Sequence, residues 1–323
     1  MTDVVASAPG KVVLSGEYAV LDGAPAVCMA VDCRAKVRVR TVDADCSRVS
    51  APGFSTVQGR FLSEGASINW LQGESEFELV DVALRTVGQA EKGPLSIELD
   101  TRSFFDATSR YKIGLGSSAA LTVALVAALT ASTDVLDGAR HVHRLFQRGS
   151  GSGVDIAAGV TGGLIEYGMN GTQVLTLPWP DDLAYRLIWT GVPVSTRSKL
   201  GQLRGANHRP SREALAKAAT SIAAAWRSAA DVLAELQAYI EVLRQFSDEH
   251  DLGIFDAGHD KLVAEARSAA LVYKPCGAGG GDVGIVLGAS NKRLDDFVVG
   301  IEAPGCRPLS FALDVKGVDL EQR

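Results

Sequence analysis

Four short segments of the chain combine glycine with serine, lysine or aspartate in patterns that could bind and transfer a phosphate group. They are "APGKVVLSGEYAV", "YKIGLGSSAA", "GSGSGVDIAAG" and "KPCGAGGGDVGI", and the last three are glycine-rich. Glycine lets a backbone turn tightly and approach a ligand, and the free N–H groups at a helix N-terminus attract anions. Lys11 in the first segment and Asp155 in the third add a cation and a carboxylate, so the sequence indicates an anion site with acid–base groups.

The glycine-serine loop of the second segment allows three interpretations. Gly114 and Gly116 turn the chain, and Ser117 or Ser118 is predicted to cap the helix that follows, which makes an anion site. The same letters satisfy G-x-G-x-x-A, the dinucleotide fingerprint, but the preceding "SFFDATSRYKI" carries charges where that fold needs a buried strand. A purely structural helix cap is the third interpretation. No G-x-x-x-x-G-K-[ST] occurs, which excludes a P-loop.

Composition limits the class of protein. With 323 residues and 46% hydrophobic content, the chain can bury a large core, and we expect two intimate lobes. A net charge of -6 argues against a nucleic-acid partner bound by bulk electrostatics. The five cysteines form no C-x-x-C pair, which predicts free thiols in a reducing compartment. The start of the chain has no signal-peptide pattern, and we expect a cytoplasmic protein.

The elements that must position these segments follow from hydrophobic periodicity. Three strands are predicted between Val12 and about Val42, and apolar and basic residues alternate with a period of two in the last of them, residues 35–41. Helices are predicted for residues 77–90, 135–147 and 259–270, and residues 211–249 form either two helices or one bent helix. The charge-free run 113–132 begins with G-L-G-S-S and is predicted to be a buried helix rather than a membrane span. This pattern favours α+β lobes that share a cleft.

Taken together, "PGKVVLSGEYAV", "GLGSSAA" and "GAGGGDVGI" resemble the three signature segments of the GHMP small-molecule kinases, in that order and across nearly the whole chain. The resemblance implies a two-lobed α+β fold. Residues 1–180 would form a ribosomal S5 domain 2-like N-terminal lobe, and residues 181–323 a ferredoxin-like C-terminal lobe. ATP would bind in the glycine-serine loop between them.

Within the family, "GEYAV", "RSFFDATSRYKIGLGSSAA" and "WTGVPVST" are most similar to the phosphomevalonate kinase branch. This resemblance implies ATP-dependent phosphorylation of (R)-5-phosphomevalonate to (R)-5-diphosphomevalonate in the mevalonate pathway of isoprenoid biosynthesis. Phosphorylation of mevalonate by a mevalonate kinase is the alternative. A decarboxylase of the same family and a sensor of the same fold without turnover are further alternatives.

The resemblance also implies roles for individual residues. Lys11 and Asp155 would be catalytic, and Ser118 would contact Mg²⁺. The ATP phosphates would be bound by Gly114, Leu115, Gly116, Ser117, Ser118 and Ala119. The acceptor would be bound by Tyr18, Lys112, Ser152, Ser195, Thr196, Ala278 and Gly279. A phosphorylated acceptor needs extra cations, for which Lys112 is the first candidate, followed by Arg148, Arg197 and Lys199.

One departure from the family concerns the metal. Mevalonate and homoserine kinases place a metal-binding glutamate upstream of the aspartate, but this chain has no Glu between Ser118 and Asp155. The corresponding position falls near His143 and Arg144. Mg²⁺ would then be held by Ser118, ATP oxygens and water, or by Asp155. The missing glutamate counts against mevalonate kinase. Small molecules are the expected partners, with no nucleic acid or membrane, in a monomer or homodimer.

Overall fold

The computed structural model describes residues 3–64, 67–89, 93–168, 174–194, 199, 201, 203 and 209–322. Its strands are β1 (Asp3–Ser15), β2 (Ala26–Thr41), β3 (Ser47–Ser50), β4 (Gly59–Glu64), β5 (Ser67–Gln72), β6 (Leu95–Asp100), β7 (Leu164–Tyr167), β8 (Val174–Leu177), β9 (Ala184–Trp189), β10 (Val272–Pro275), β11 (Val283–Gly288), β12 (Arg307–Leu309) and β13 (Asp319–Gln322). Its helices are α1 (Glu78–Val87), α2 (Ser117–Thr130), α3 (Leu136–Phe146), α4 (Val154–Thr161), α5 (Arg209–Ser228), α6 (Val232–Glu249), α7 (His259–Ser268) and α8 (Asn291–Val299).

The larger sheet has the strand order β13-β1-β2-β6-β3-β4-β5, with β7 paired to the other end of β2 and β8 to β7. Strands β1 and β2 form a long antiparallel pair. Ala35 and Val37 on β2 are fully buried and Lys36 between them is exposed, so the predicted period of two is confirmed. The structure has two strands in this region rather than the three predicted, because residues 26–41 form one continuous strand.

Helix α2 is the buried support that its charge-free sequence predicts. Ten of its fourteen residues are buried, and they pack against β1 and β2 on one side and against α1, α3 and α4 on the others. A helix that is apolar all round is stable in water only if neighbours cover every face, as they do here. No helix in the described part of the chain is both long and apolar enough to cross a membrane.

The smaller sheet is antiparallel, with the order β10-β11-β9-β12. The last strand along the chain, β12, pairs with the first, β9, and β11 lies between β9 and β10. This is the strand order of a ferredoxin-like βαββαβ unit. Helices α5 and α6 are separate, because Ala229 and Asp231 between them adopt φ of 52° and 53°. The expected α+β class and the two-sheet architecture are thus confirmed.

A shared hydrophobic cluster joins the two sheets. It includes Val12 and Leu14 of β1, Leu187 of β9, Ile285 of β11 and the fully buried Trp226 of α5. Burial of apolar surface stabilises the fold by roughly 25 cal/mol per Å². Because the cluster continues from one sheet to the other, the glycine-rich segments at its edge are held close together. The division of the chain into lobes at residue 180 stays a prediction. Strand β13, which follows that boundary, pairs with β1 in the larger sheet.

Candidate active site

A cleft of about 280 Å³ brings the four segments together. Its lining includes Lys11, Tyr18, Lys112, Gly114, Leu115, Gly116, Ser117, Ser118, Ala119, Ser152, Asp155 and Ala278, together with Glu17, Gln147, Ser150, Gly151, Val194, Gly277 and Asp282. Residues more than 250 positions apart in the sequence therefore surround one space. That arrangement supports a ligand site better than four unrelated loops would.

Lys11 is positioned by an irregularity in β1. The pairing with β2 shifts register between Pro9 and Gly10, and a Cβ added to Gly10 would lie 2.6 Å from the Leu115 carbonyl oxygen. Only glycine allows this close approach, which lets the Lys11 N–H donate to the same oxygen at 2.8 Å. The Lys11 side chain then runs past Gly116, toward the third signature segment. The Lys11 side chain therefore lies between the glycine-serine loop (residues 114–119, below also called the phosphate loop) and the loop that follows β10.

The start of α2 corrects one prediction. Neither Ser117 nor Ser118 caps the helix; Gly116 is the N-cap, in the left-handed region at φ 80°, and makes no side-chain capping bond. Because only a glycine adopts this conformation without strain, the two serines fall inside the first turn. The first N–H groups of a helix have no partner within it, so Ser117, Ser118 and Ala119 supply donors beside the cleft. An anion at this end of the cleft would meet these donors.

His143 faces the predicted metal ligand. It is 4% exposed, and its Nε2 lies 3.4 Å from Ser118 Oγ and 3.1 Å from Gln147 Nε2. An amide nitrogen can only donate, so His143 Nε2 accepts from Gln147 in this arrangement. The Ser118 hydroxyl therefore has an acceptor behind it, near the position where the family resemblance implies a metal-binding glutamate. The sequence indicated this position but no role for His143.

Asp155 lies in the first turn of α4, which begins after Gly153 at φ 85°. The carboxylate lines the cleft, and its Oδ1 accepts the N–H of Ile156 at 3.0 Å. Lys11 and Asp155 both act on the buried Cys28 thiol: burial raises the pKa of Cys28 to about 12, Lys11 opposes this rise and Asp155 adds to it. Both predicted catalytic groups line the cleft, and both act electrostatically on the same buried thiol.

Tyr18 links the first segment to the last. Its side chain is 5% exposed, its backbone has φ 62°, and its hydroxyl donates to the Ala278 carbonyl at 2.6 Å. Burial, followed by the neighbouring Glu17 charge, raises the pKa of Tyr18 well above its usual value. The hydroxyl therefore stays protonated and acts as a donor. Tyr18 thereby holds the carbonyl of Ala278, another residue that is predicted to bind the acceptor substrate.

Glu17, which lines the cleft, forms a buried ion pair with Lys274 behind the lining, and the sequence alone did not predict this pair. The Lys274 side chain is fully buried, and Glu17 also accepts from the Tyr239 hydroxyl at 3.0 Å. The Gly16 N–H donates to the same hydroxyl at 3.0 Å. A lysine followed by proline in an apolar run was the available signal, but its partner lies 257 residues away.

The remaining predicted residues occupy different positions. Lys112 lines the cleft although it is exposed. The Arg148 guanidinium is 79% exposed, reaches Glu78 at 4.0 Å and does not line the cleft. Lys199 Nζ donates to the Leu252 carbonyl. Gly279 packs on Ile254 outside the cleft lining. The described residues do not include Ser195, Thr196 and Arg197.

The donor set fits a magnesium ion that arrives with a nucleotide. Among the described residues, no group of three or more His, Cys, Asp or Glu side chains is arranged to hold a metal ion. The cleft does offer the Ser118 hydroxyl and the Asp155 carboxylate, both hard oxygen donors. Mg²⁺ commonly keeps several waters and uses one or two protein oxygens plus substrate phosphates. The two side chains suit that mode of binding.

Comparison with known proteins agrees with this architecture. Residues 78–163 match the GHMP kinases N terminal domain. A phosphomevalonate kinase of Streptomyces sp. (strain CL190) is 32% identical, with 98% of each chain covered. A mevalonate kinase of Thermococcus onnurineus (strain NA1) is 27% identical, covering 99% of this chain and 98% of its own.

Among solved structures, Streptococcus pneumoniae phosphomevalonate kinase in complex with phosphomevalonate and AMPPNP has a TM-score of 0.75 to this chain at 18% identity. The match covers 94% of this chain and 99% of that one, and it concerns the fold. The sequence relationship extends over the same length, through all the segments that meet at the cleft. From this end-to-end similarity we conclude that the chain belongs to the GHMP kinase family and is a phosphotransferase.

Proposed function

We propose that the protein transfers the γ-phosphoryl group of Mg·ATP to (R)-5-phosphomevalonate and releases (R)-5-diphosphomevalonate. The observation that carries this proposal is that a second cation, Lys112, lines the same cleft as Lys11 and the N-terminus of α2. Two polyanions must meet in a phosphomevalonate kinase, and each cation lowers their repulsion. The 32% identity to a phosphomevalonate kinase supports the same acceptor.

The glycine-serine loop would bind the ATP phosphates through backbone N–H groups. Gly116 places Ser117, Ser118 and Ala119 at the start of α2, where unpaired donors and the helix dipole favour negative charge. Donors that are fixed before the substrate arrives need no reorganisation during the reaction. The loop would therefore stabilise charge as it moves to the bridging oxygen. Bound Mg²⁺ would neutralise phosphate charge in the same place, with Ser118 as a ligand.

Lys11 would stabilise the group in transfer. Its side chain runs past Gly116 and reaches Gly277, so it spans the cleft from the phosphate loop to the loop between β10 and β11. A cation in this position attracts both the transferred phosphoryl oxygens and the attacking oxygen. Phosphoryl transfer depends mainly on such charge stabilisation and on alignment.

Asp155 would orient the acceptor. The second ionisation of a phosphate monoester has a pKa near 6, so at pH 7 the attacking oxygen carries most of its charge already. A phosphorylated acceptor therefore places little demand on a base, whereas an alcohol such as mevalonate requires proton removal. Ser152 and Ala278 line the same cleft and would help to bind the acceptor. Ser195 and Thr196 stay proposed acceptor contacts from the family resemblance alone.

Mevalonate is the second candidate acceptor. The observation in its favour is the end-to-end similarity to archaeal mevalonate kinases, at 27% identity for the Thermococcus onnurineus protein. Against it stands the absence of a glutamate between Ser118 and Asp155, where His143 lies instead. The two acceptors differ by one phosphate, so Lys112 is the residue whose contribution should differ most.

The test is a coupled assay of ADP release with Mg·ATP and a panel of acceptors: phosphomevalonate, mevalonate, diphosphomevalonate, homoserine and galactose. We expect turnover with phosphomevalonate, and loss of at least 100-fold in the Asp155→Asn variant if Asp155 orients the acceptor. Full turnover with mevalonate alone would favour the second candidate. Nucleotide binding without ADP release from any acceptor would favour a sensor protein.

A further inference from the structure

Asp282 differs from its neighbours in the loop between β10 and β11. Gly277, Gly279 and Gly280 have φ between 67° and 75°, in the left-handed region that favours glycine. Asp282 follows Gly281 and has φ 55° although it carries a side chain. A left-handed conformation costs a non-glycine residue roughly 1 kcal/mol, and such cost is often found at functional sites. The carboxyl group of Asp282 is therefore a candidate for a specific role.

The neighbouring segment 190–194 holds this aspartate in one orientation. Its N–H donates to the Val192 carbonyl at 2.7 Å, and its carbonyl accepts the N–H of Thr190 at 2.9 Å. The side chain is fixed as well, because Oδ1 accepts the N–H of Val194 at 3.1 Å. Oδ1 thus accepts a hydrogen bond from the backbone, and Oδ2 points away from segment 190–194.

Oδ2 faces the phosphate loop. A Cβ added to Gly114 would lie 2.7 Å from Asp282 Oδ2 and 2.3 Å from its carboxyl carbon, so the carboxyl group packs directly on this glycine. Asp282 also lines the cleft. A carboxyl group from the smaller sheet's β10–β11 loop therefore covers the first glycine of the loop to which we assign the ATP phosphates.

The charges around Asp282 oppose its burial. Burial raises the pKa of Asp282 to about 6, although the Val194 N–H, Lys11 and Lys112 each lower it. Lys11 approaches from β1 and Lys112 from the residues before the phosphate loop, while segment 190–194 contains no charged side chain. Glu17 and Asp155 are further carboxylates in the same cleft. Adding a polyphosphate here would place more negative charge beside Oδ2.

We propose that Asp282 is ionised while the phosphate loop is empty, and that it takes up a proton on Oδ2 when a nucleoside triphosphate binds there. The inference rests on the proposed function, because its ligand is the polyphosphate of ATP. The proton comes from solvent, and the only bond formed is the O–H of the carboxyl group. Protonation removes the repulsion between carboxylate and phosphate, and the new O–H can donate to a phosphate oxygen. Nucleotide binding is then linked to proton uptake.

The experiment is isothermal titration calorimetry of Mg·AMPPNP binding at pH 7 in PIPES and in imidazole, two buffers with different ionisation enthalpies. We expect the wild-type protein to take up roughly half a proton or more per nucleotide, because an acid with a pKa near 6 is mostly ionised beforehand. Asp282→Asn should bind nucleotide with this uptake removed. Asparagine tolerates the left-handed region, and its amide oxygen can still accept from Val194.

Asp295→Asn is the matched control. Asp295 is an exposed carboxylate on α8 that pairs with Arg186, and we expect this variant to keep the wild-type proton uptake. If the wild-type protein binds no nucleotide at all, the proposed function is wrong. If it binds nucleotide without proton uptake, or if Asp282→Asn retains the full uptake, only the role of Asp282 is wrong.

A second measurement needs no variant. Because the bound form holds the proton more tightly, the wild-type affinity for Mg·AMPPNP should fall about twofold or more between pH 7 and pH 8.5. An affinity that stays constant over this range would contradict the inference even if Asp282→Asn did not fold.

Discussion

The carboxylate of Glu17 and the ammonium of Lys274 form an ion pair in which neither side chain is more than 4% exposed. Glu17 follows β1 of the larger sheet, and Lys274 lies on β10 of the smaller one. The pair therefore connects the first signature segment to the strand that precedes the third. The hydrogen bond from Tyr18 to Ala278 connects the same two regions at the cleft lining.

Removing one partner of this pair should be costly. Lys274→Met leaves the Glu17 carboxylate buried with the Tyr239 hydroxyl as its remaining partner, and we expect a loss of about 3–5 kcal/mol in the free energy of unfolding. The measurement is urea-induced unfolding at pH 7. The Glu17→Gln/Lys274→Met double variant should recover more than half of this loss, since it leaves no unpaired charge.

Lys261→Met provides the control, because Lys261 is 47% exposed and its pair with Glu265 is a surface ion pair worth about 0–1 kcal/mol. Equal losses for Lys274→Met and Lys261→Met would show that burial of the first pair has no energetic consequence.

Lys112 should determine how well the phosphorylated acceptor binds. We expect Lys112→Met to lower kcat/KM for phosphomevalonate by about 10- to 100-fold, because a charge-assisted hydrogen bond contributes roughly 1.5–3 kcal/mol. Steady-state kinetics with phosphomevalonate and with mevalonate measure the effect. Arg148→Met is the matched control, and it should change kcat/KM less than twofold, since Arg148 lies outside the cleft lining. Equal effects of Lys112→Met on both acceptors would argue against acceptor-phosphate binding by Lys112.

His143 should orient the Ser118 hydroxyl. In His143→Leu the acceptor behind Ser118 is lost, and we expect kcat/KM for Mg·ATP to fall by about fivefold, as for one hydrogen bond. The Mg²⁺ concentration that gives half the maximal rate should rise in parallel. His143→Gln can place an amide oxygen where Nε2 lies, so it should restore most of the activity. If Gln and Leu behave alike, His143 only fills space.

His259 should make the fold sensitive to acid. Its ring is fully buried between the Tyr273 hydroxyl and the Gly281 carbonyl, and burial lowers its pKa to about 4. The unfolded chain has a histidine pKa near 6.5, so between pH 6.5 and 4 the unfolded state binds a proton that the folded state does not. This contribution to stability is complete above pH 6.5 and is lost as the pH falls. The total loss is roughly 3 kcal/mol for a shift of this size.

Urea unfolding at pH 7, 5.5 and 4.5 measures this dependence. His259→Gln should flatten it, whereas substitution of the exposed His141 by Gln should leave it unchanged. A wild-type slope that survives in His259→Gln would assign the acid sensitivity to other groups.

Local signals in the sequence predicted the elements well where one physical cause dominated. The charge-free residues of α2 had to be buried, and the alternation around Lys36 had to be a strand with one wet face. The helix cap was wrong because Ser117 follows a glycine that takes the left-handed conformation itself, and the composition of "GLGSS" does not say which residue does so.

Long-range partners were beyond local reasoning. The sequence around Glu17 does not predict its contact with Lys274, and the sequence around Asp282 does not predict its contact with Gly114. Both contacts depend on how the two sheets meet. The family resemblance supplied the fold and the segments that line the cleft. It did not supply the role of His143, because this position departs from the pattern.

Strand β13 closes the outer edge of β1, the strand that carries Lys11, through pairs such as Val4 with Gln322. During synthesis the ribosome must add more than 300 residues before this partner exists. Until then the N–H and C=O groups on that edge of β1 are open to pairing with another chain. The strand that carries Lys11 is thus an unprotected edge of the nascent larger sheet, and a truncation that removes β13 should reduce soluble yield before it affects turnover.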